Sequence, residues 1–174
     1  MDFWEVVKKR RSVRSYQRRA VEEEKVQKLL EAMNSAPSAG DLQAYEVVLV
    51  REEGKRKALA RAAYDQDFIA EAPLVFVFFA HPKRSSWRYG KRGSQLYCLQ
   101  DATIACAYMQ LAASALELSS CWVGAFDDAE VCRICKAPPD VFPIAILSVG
   151  YPAESPPPTP RRALKDIVRI EQFG

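Results

Sequence analysis

The sequence contains few of the residues from which metal and disulfide sites are built. It has one histidine, His81, and five cysteines, an odd number scattered between Cys98 and Cys135. A zinc site would need a second cysteine pair or histidines beside Cys132-x-x-Cys135, and a secreted disulfide framework would need an even set. We therefore expect no metal site. We interpret Cys132 and Cys135 as buried structural thiols, with a redox pair as the alternative.

The sequence also lacks a charge imbalance and a leader-like start. Twenty-five basic residues oppose 22 acidic ones, for a net charge of +3, so there is no global cationic field of the kind nucleic-acid binders show. Residues 1–5 do not combine a basic region with an apolar core. We therefore expect no signal peptide, no membrane partner and a cytoplasmic location. The length of 174 residues predicts a single domain over residues 1–174.

The hydrophobic pattern predicts alternating helices and strands. Apolar residues at helical spacing predict helices over residues 2–10, 22–35, 52–64, 94–118 and 127–135. Runs of β-branched and aromatic residues predict strands over residues 45–50, 73–80, 121–123 and 144–151. This order predicts an α/β or α+β sandwich with helices on a central sheet. Residues 81–95 are predicted to be a surface segment, and the proline-rich residues 152–174 an extended tail.

The densest set of hydrogen-bond donors lies at residues 10–14, Arg-Arg-Ser-Val-Arg, directly after the first predicted helix. Three guanidinium groups and a hydroxyl within five positions suit an anionic, phosphate-bearing ligand. The alternative interpretation is a solvated basic patch or a salt-bridging helix end.

Four further segments carry residues that could contribute to a site. Residues 37–43, Pro-Ser-Ala-Gly-Asp-Leu-Gln, form a predicted loop before a strand, and residues 124–126, Gly-Ala-Phe, form a turn after another. Residues 65–67, Asp-Gln-Asp, precede the buried strand and could line a ligand or cap a helix. Residues 87–89, Trp-Arg-Tyr, could stack on a substrate or belong to an ordinary exposed loop.

In order and spacing, these segments resemble the nitroreductase family of flavin mononucleotide (FMN) enzymes. The matching segments are residues 10–14, 36–43, 100–101, 121–126 and 150–152 and the basic pair 161–162. The resemblance implies an α+β, three-layer α/β/α sandwich with a central, mostly antiparallel sheet. It also implies an intertwined homodimer with FMN at the subunit interface.

The resemblance assigns the cations to two ends of the flavin. Arg10, Ser12 and either Arg161 or Arg162 resemble the phosphate ligands, and Arg14 resembles the cation beside the pyrimidine edge, where reduced flavin gains negative charge.

The remaining implied cofactor contacts lie elsewhere along the chain. Arg11 would reach the ribityl chain, and the backbone N–H groups of Gly124 and Ala125 would meet flavin N5 and O4. A loop from the partner subunit would lie against the ring and ribityl chain through Pro37, Ser38, Ala39, Asp41 and Gln43.

The implied function is an oxidoreductase that passes hydride from NADH or NADPH through flavin N5 to a nitroaromatic, quinone or related small-molecule acceptor in a ping-pong cycle. No catalytic side chain is required, because the flavin performs the chemistry. Asp41 stands where the family usually has asparagine, which adds a charge that a raised pKa or a nearby cation must compensate. Alternatives are reductive dehalogenation, flavin breakdown, a flavin-binding protein without turnover, or a small basic nucleic-acid-binding domain.

Overall fold

Four strands form one antiparallel sheet at the centre of the molecule. In the computed structural model, which describes residues 2–173, they are β1 (Tyr45–Val50), β2 (Leu74–Ala80), β3 (Ser119–Val123) and β4 (Phe142–Gly150). Their spatial order is β1-β2-β4-β3, and every neighbouring pair is antiparallel. The predicted strands are therefore confirmed, with ends shifted by one or two residues.

Helices cover both faces of the sheet. They are α1 (Phe3–Lys9), α2 (Glu23–Asn34), α3 (Glu53–Ala62), α4 (Phe68–Glu71), α5 (Pro82–Arg92), α6 (Cys98–Ala115) and α7 (Asp128–Cys135). Two of them begin at aspartate caps: Asp2 accepts from the Glu5 N–H in a capping box, and Asp127 accepts from the Glu130 N–H. Such caps satisfy backbone donors that the first helical turn leaves unpaired.

Two hydrophobic cores lie on opposite faces of the sheet. All seven residues of β2 are buried, and their side chains alternate between the faces, as strand geometry requires. Phe76 and Phe78 pack in the core that includes α2 and α6, whereas Val77 and Phe79 pack in the core that includes α3, α4 and α7. The three-layer α+β sandwich is therefore confirmed.

Residues 81–95, which were predicted to be a surface segment, contain a helix that the sequence pattern did not predict. Residues 82–92 form the helix α5, which breaks at Gly90, where φ is 55°. The chain then passes through a wide helical turn, Gly93–Tyr97, into α6. Gly93 allows this reversal because a Cβ there would lie 2.6 Å from the Ser85 carbonyl oxygen. Basic and glycine-rich composition concealed a helix whose polar side chains face solvent.

The C-terminal segment leaves the body of the molecule. Beyond Glu154, every hydrogen bond described up to residue 173 joins two residues of the tail itself. Five large apolar side chains of this segment are exposed: Leu164, Ile167, Val168, Ile170 and Phe173. Within residues 2–173, no helix has both the length and the apolar character needed to cross a membrane.

Candidate cofactor site

Residues 10–14, the arginine segment, lie along the outer edge of β3. Ser12 forms a parallel bridge with Ser120, and the Val13 N–H donates to the Ser120 carbonyl oxygen at 3.2 Å. Because the pairing is parallel, residues 10–14 run in the same direction as β3 towards the turn at Gly124 and Ala125. The structure thus brings two of the predicted site segments onto one edge of the sheet.

A buried tyrosine fixes the arginine segment in place. Tyr16 donates to the Val13 carbonyl oxygen at 2.8 Å, and its hydroxyl lies 2.8 Å from Ser148 Oγ. Burial raises the pKa of Tyr16, so the phenol stays protonated and remains a donor. Gly150 makes room for this ring, since a Cβ there would lie 3.0 Å from Tyr16 Cδ1 and 2.6 Å from Pro73 Cδ.

The three arginines of the segment have different surroundings. Arg11 Nη1 donates to the Lys8 and Arg10 carbonyl oxygens at 2.6 and 2.7 Å, so this guanidinium caps the end of α1. Within the described residues, the Arg10 and Arg14 guanidiniums form neither hydrogen bonds nor ion pairs with protein groups. The Arg14 guanidinium carbon lies 5.9 Å from the centre of the Phe68 ring. Arg10 and Arg14 are therefore the cations available to a ligand.

Two acid–base groups lie close to these cations. The Arg14 N–H donates to a Glu154 carboxylate oxygen at 2.5 Å, which ties the segment to the start of the tail. Cys121 is buried beside the same segment. Burial raises the pKa of the Cys121 thiol, and the opposing effect of Arg14 and Arg10 is smaller. Cys121 is therefore a packed thiol rather than a nucleophile.

The turn after β3 offers exposed backbone donors. Gly124 and Ala125 are exposed, and within residues 2–173 neither backbone N–H donates to a protein acceptor. Gln66 Nε2 donates to the Ala63 and Ala125 carbonyl oxygens at 2.8 and 3.3 Å, which connects this turn to the end of α3. Gln66 thus helps to position the turn. Its sequence position alone left open whether it caps a helix or lines a ligand.

The turn between α3 and α4, which contains Gln66, has a strained backbone. Tyr64 and Asp65 adopt left-handed φ values of 58° and 60°, a conformation that costs energy for residues other than glycine. Consecutive residues of this kind persist where the surrounding structure holds them, and such positions concentrate at functional sites.

The other predicted part of the site is the loop of residues 37–43. One buried carboxylate binds the backbone of this loop. Asp101, in the first turn of α6, is 2% exposed and accepts from the Ala39 and Ala44 N–H groups at 2.9 and 3.2 Å. Ser38 Oγ accepts from the Gln43 N–H at 2.9 Å. These bonds fix a backbone that takes left-handed φ at three positions, Gly40, Asp41 and Gln43. Sequence reasoning placed Asp101 in a matching motif but missed this role.

This loop lines a cavity of about 550 Å³. The cavity lies between Pro37–Ala39 and the beginning of α6, including Leu99 and Ile104. Its mixture of backbone, small side chains and apolar groups is typical of sites for flat organic ligands.

The two halves lie far apart within one chain. Asp101 holds the loop near the first turn of α6, whereas Arg11 and Val13 lie beside Ser114 at the other end of that helix. Thirteen residues of α-helix span about 20 Å. The predicted phosphate ligands Arg161 and Arg162 lie on the tail, where Arg162 donates to the Asp166 carbonyl oxygen. The structure therefore does not bring loop, arginine segment and tail together in a single protomer.

A larger groove of about 1310 Å³ lies elsewhere, between residues 16–20 and the helices α3 and α4. It contains cations and carboxylates together, and Lys57 is already paired with Glu53 at 2.5 Å. Arg56 is likewise engaged with the Ala70 and Ala72 carbonyl oxygens. Arg19, which also lines this groove, is paired with Glu22 at 2.8 Å, so three of its cations are already engaged with protein groups.

The Cys132-x-x-Cys135 pair lies on α7, where both residues are half-buried. Both thiols are free. Burial raises the pKa of Cys132 and raises that of Cys135 to about 11. A neutral thiol is a poor nucleophile and metal ligand. Within residues 2–173 no group of three or more histidine, cysteine, aspartate or glutamate residues is arranged to hold a metal ion.

Comparison with known proteins identifies the class. The nitroreductase family model matches residues 7–66 and 59–151. The chain is 30% identical to the NADH dehydrogenase of Thermus thermophilus over 92% of this chain and 91% of that protein. It is also 30% identical to an FMN reductase [NAD(P)H] of Bacillus subtilis, over 94% of this chain and 71% of that one. The Bacillus megaterium protein NfrA2 superposes with a TM-score of 0.93 at 26% identity, over 100% of this chain and 76% of that one.

The α+β fold, with its arginine segment and small-residue turn on one sheet edge, is that of a flavin reductase-like protein. The chain belongs to the nitroreductase family. The resemblance inferred from the sequence motifs is thereby confirmed.

Proposed function

We propose that the protein is an FMN-dependent oxidoreductase that passes hydride from NADH or NADPH to a nitroaromatic, quinone or related small-molecule acceptor in a ping-pong cycle. The observation that carries this proposal is the single edge formed by Arg10, Ser12, Arg14 and the turn at Gly124 and Ala125. Relatives named FMN reductase [NAD(P)H] and NADPH-dependent oxidoreductase support the same assignment.

The donors on this edge fit the chemistry of FMN. A phosphate dianion requires cations and hydroxyl or backbone donors, and the unpaired Arg10 guanidinium beside the Ser12 hydroxyl supplies them. Arg11 would contribute indirectly, because its guanidinium caps α1 and so holds Arg10 and Ser12 in position. Arg161 or Arg162 would complete the phosphate site from the tail.

The other end of the edge suits the isoalloxazine ring. Arg14 lies over Phe68 with a free guanidinium and would stabilise the negative charge that the pyrimidine edge gains on reduction. The backbone N–H groups of Gly124 and Ala125 would donate to N5 and O4. The bound flavin supplies the hydride chemistry itself, so the chain's task is to bind, orient and polarise it.

A second copy of the chain would complete the site. The loop of residues 37–43 lies about 20 Å along α6 from the arginine segment of the same chain, so we assign to each flavin the loop of the partner. The exposed apolar residues of the tail, together with Phe3 and Trp4 on α1, provide surface that dimerisation would bury. We therefore propose a homodimer with two FMN sites at the interface. The tail over residues 152–174 would act as an arm of a single domain.

Asp41 fits this arrangement through nearby cations. Arg84 Nε donates to the Leu42 carbonyl oxygen at 2.6 Å, and Arg88 Nη1 lies 3.4 Å from the Gly40 carbonyl oxygen. Two guanidiniums thus contact the backbone on either side of Asp41, which stands where the family usually has asparagine, and we propose that they offset its charge near an anionic cofactor.

The function is tested by an absorption spectrum of the purified protein and an anaerobic titration with NADH or NADPH. The proposal predicts a yellow protein. Its flavin absorption band should bleach on addition of NADH or NADPH and recover on addition of a quinone. Arg14→Ala should weaken FMN retention, whereas Arg133→Ala, which removes an exposed guanidinium of α7 paired with Glu130, should not. Bound flavin that never bleaches would instead favour a flavin-binding protein without turnover.

A further inference from the structure

The helix α5 and the turn after it carry charge of one sign. From Pro82 to Gln100 the chain contains five basic residues and no aspartate or glutamate. The basic residues are Lys83, Arg84, Arg88, Lys91 and Arg92. A solvated helix usually mixes both signs, so an unmixed basic helix indicates attraction for an anion.

Two of these arginines hold α5 on the loop of residues 37–43. The Arg84 and Arg88 guanidiniums contact the Leu42 and Gly40 carbonyl oxygens. Gly40 is closely covered, because a Cβ there would collide with the Tyr89 hydroxyl and the Arg88 guanidinium. The helix therefore lies at the rim of the site to which this loop contributes.

The same two arginines keep most of their donors free. No ion pair within residues 2–173 involves Arg84 or Arg88. Lys83, by contrast, lies 3.7 Å from Asp140, and Arg92 Nε donates to the Tyr97 hydroxyl at 3.0 Å. Asp41 is the only aspartate or glutamate in residues 37–43. A guanidinium has five N–H donors, so each arginine can contact a backbone carbonyl and still bind a phosphate.

An exposed indole lies between the two arginines. Trp87 is 73% exposed, and positions 84, 87 and 88 share one face of a helix. A large aromatic ring left in solvent on the same helix face as two arginines with unused donors combines a stacking surface with anion donors. This pair of features matches a planar heteroaromatic group that carries a phosphate.

We propose that α5 forms the subsite for the adenosine 2′-phosphate of NADPH, with the adenine stacked on Trp87 and the phosphate bound by Arg84 and Arg88. This inference rests on the proposed function, because it requires NADPH to lie with its nicotinamide ring over the flavin. The adenosine end of NADPH then reaches α5. It predicts that the enzyme prefers NADPH to NADH.

The test compares kcat/KM for NADPH and NADH in the flavin-loaded dimer. Arg88→Gln should lower the value for NADPH about tenfold more than the value for NADH, the loss of one charge-assisted contact that only NADPH makes. Trp87→Ala should lower both values, because both nucleotides carry adenine. Arg88→Lys should retain part of the preference, and Arg133→Gln, an exposed arginine on α7, serves as the matched control.

A binding measurement separates this inference from the proposed function. Isothermal titration of the flavin-loaded protein with adenosine 2′,5′-bisphosphate should give binding that Arg88→Gln weakens about tenfold, with adenosine 5′-monophosphate little affected. Equal losses for NADPH and NADH, or no binding of the bisphosphate to the wild type, would overturn the subsite while leaving flavin reduction intact. Failure of both nicotinamides to reduce the flavin, with bisphosphate binding preserved, would instead overturn the proposed function.

Discussion

The buried carboxylate of Asp101 is expected to control both stability and the loop of residues 37–43. Its two oxygens accept from Ala39 and Ala44 N–H groups. Asp101→Asn keeps one acceptor but turns an NH₂ group towards the other N–H, so one donor is left unpaired in the interior. A hydrogen bond to a charged group contributes about 1.5–3 kcal/mol, and an unpaired buried donor costs about 1–3 kcal/mol.

The amide also removes a buried charge, which recovers part of this loss. We therefore expect Asp101→Asn to lower the free energy of unfolding by about 2–3 kcal/mol. In a chain of this length that corresponds to a fall in Tm of about 5–10 °C. Amide hydrogen exchange at Ala39 and Ala44 should accelerate about 30-fold, the factor that corresponds to about 2 kcal/mol.

The assays are thermal and urea unfolding, with hydrogen exchange read at single residues. Asp128→Asn is the matched control, because Asp128 is exposed on α7. It should change the free energy of unfolding by less than about 0.5 kcal/mol. If Asp101→Asn leaves both stability and the exchange of these two amides unchanged, the carboxylate does not anchor the loop and the reasoning is refuted.

Three further predictions concern packing, acid stability and thiol reactivity. Gly150→Ala should destabilise the fold by about 1–3 kcal/mol in urea unfolding, because its Cβ would lie 2.6 Å from Pro73 Cδ; an unchanged midpoint would contradict the close packing. A hydrogen bond from Tyr151 is the main cause that lowers the pKa of Glu22 to about 2, so the carboxylate stabilises the fold above pH 4.5 and this contribution is lost as the pH falls towards 2. Tyr151→Phe should raise the pKa of Glu22 in an NMR titration, and no rise would refute the assignment. Burial raises the pKa of Cys135 to about 11, so alkylation by iodoacetamide at pH 7.5 should be slow and should accelerate as the pH rises towards 11, whereas fast labelling at pH 7.5 would indicate an activated thiol.

Local signals made much of the fold predictable. The unbroken apolar run of β2 lies within the predicted strand of residues 73–80, and the structure buries all seven residues of β2. The spacing of Val26, Leu29, Leu30 and Met33 predicted α2 because an amphipathic stripe depends only on sequence period. Asp2 and Asp127 stand at the first positions of two predicted helices, and in the structure their side chains cap those helices.

The placement of site groups depended on contacts between distant parts of the chain, which no local pattern encodes. Asp101 was visible only as part of a motif, whereas its bonds to Ala39 and Ala44 join residues 62 and 57 positions apart. The helix α5 was hidden because residues 82–92 contain few apolar side chains, and its arginine contacts with the loop join residues 42 and 48 positions apart. The role of Arg11 as a cap of α1 likewise depends on a side-chain direction that its neighbours in sequence do not determine.

A mixed-dimer experiment tests most directly the claim that each flavin is bound by the arginine segment of one chain and the loop of its partner. Arg14→Glu disrupts the arginine segment. Ala39→Trp disrupts the loop of residues 37–43, because it adds bulk without removing the hydrogen bond of the backbone N–H at position 39. Each variant alone should bind little FMN.

In a mixed dimer of the two variants, one site receives both changes and the other receives neither. The account predicts one tightly bound FMN per mixed dimer, and NADH or NADPH should reduce this FMN. A mixed dimer that binds no FMN would contradict it, because a site built within one chain would carry one of the two changes in each copy.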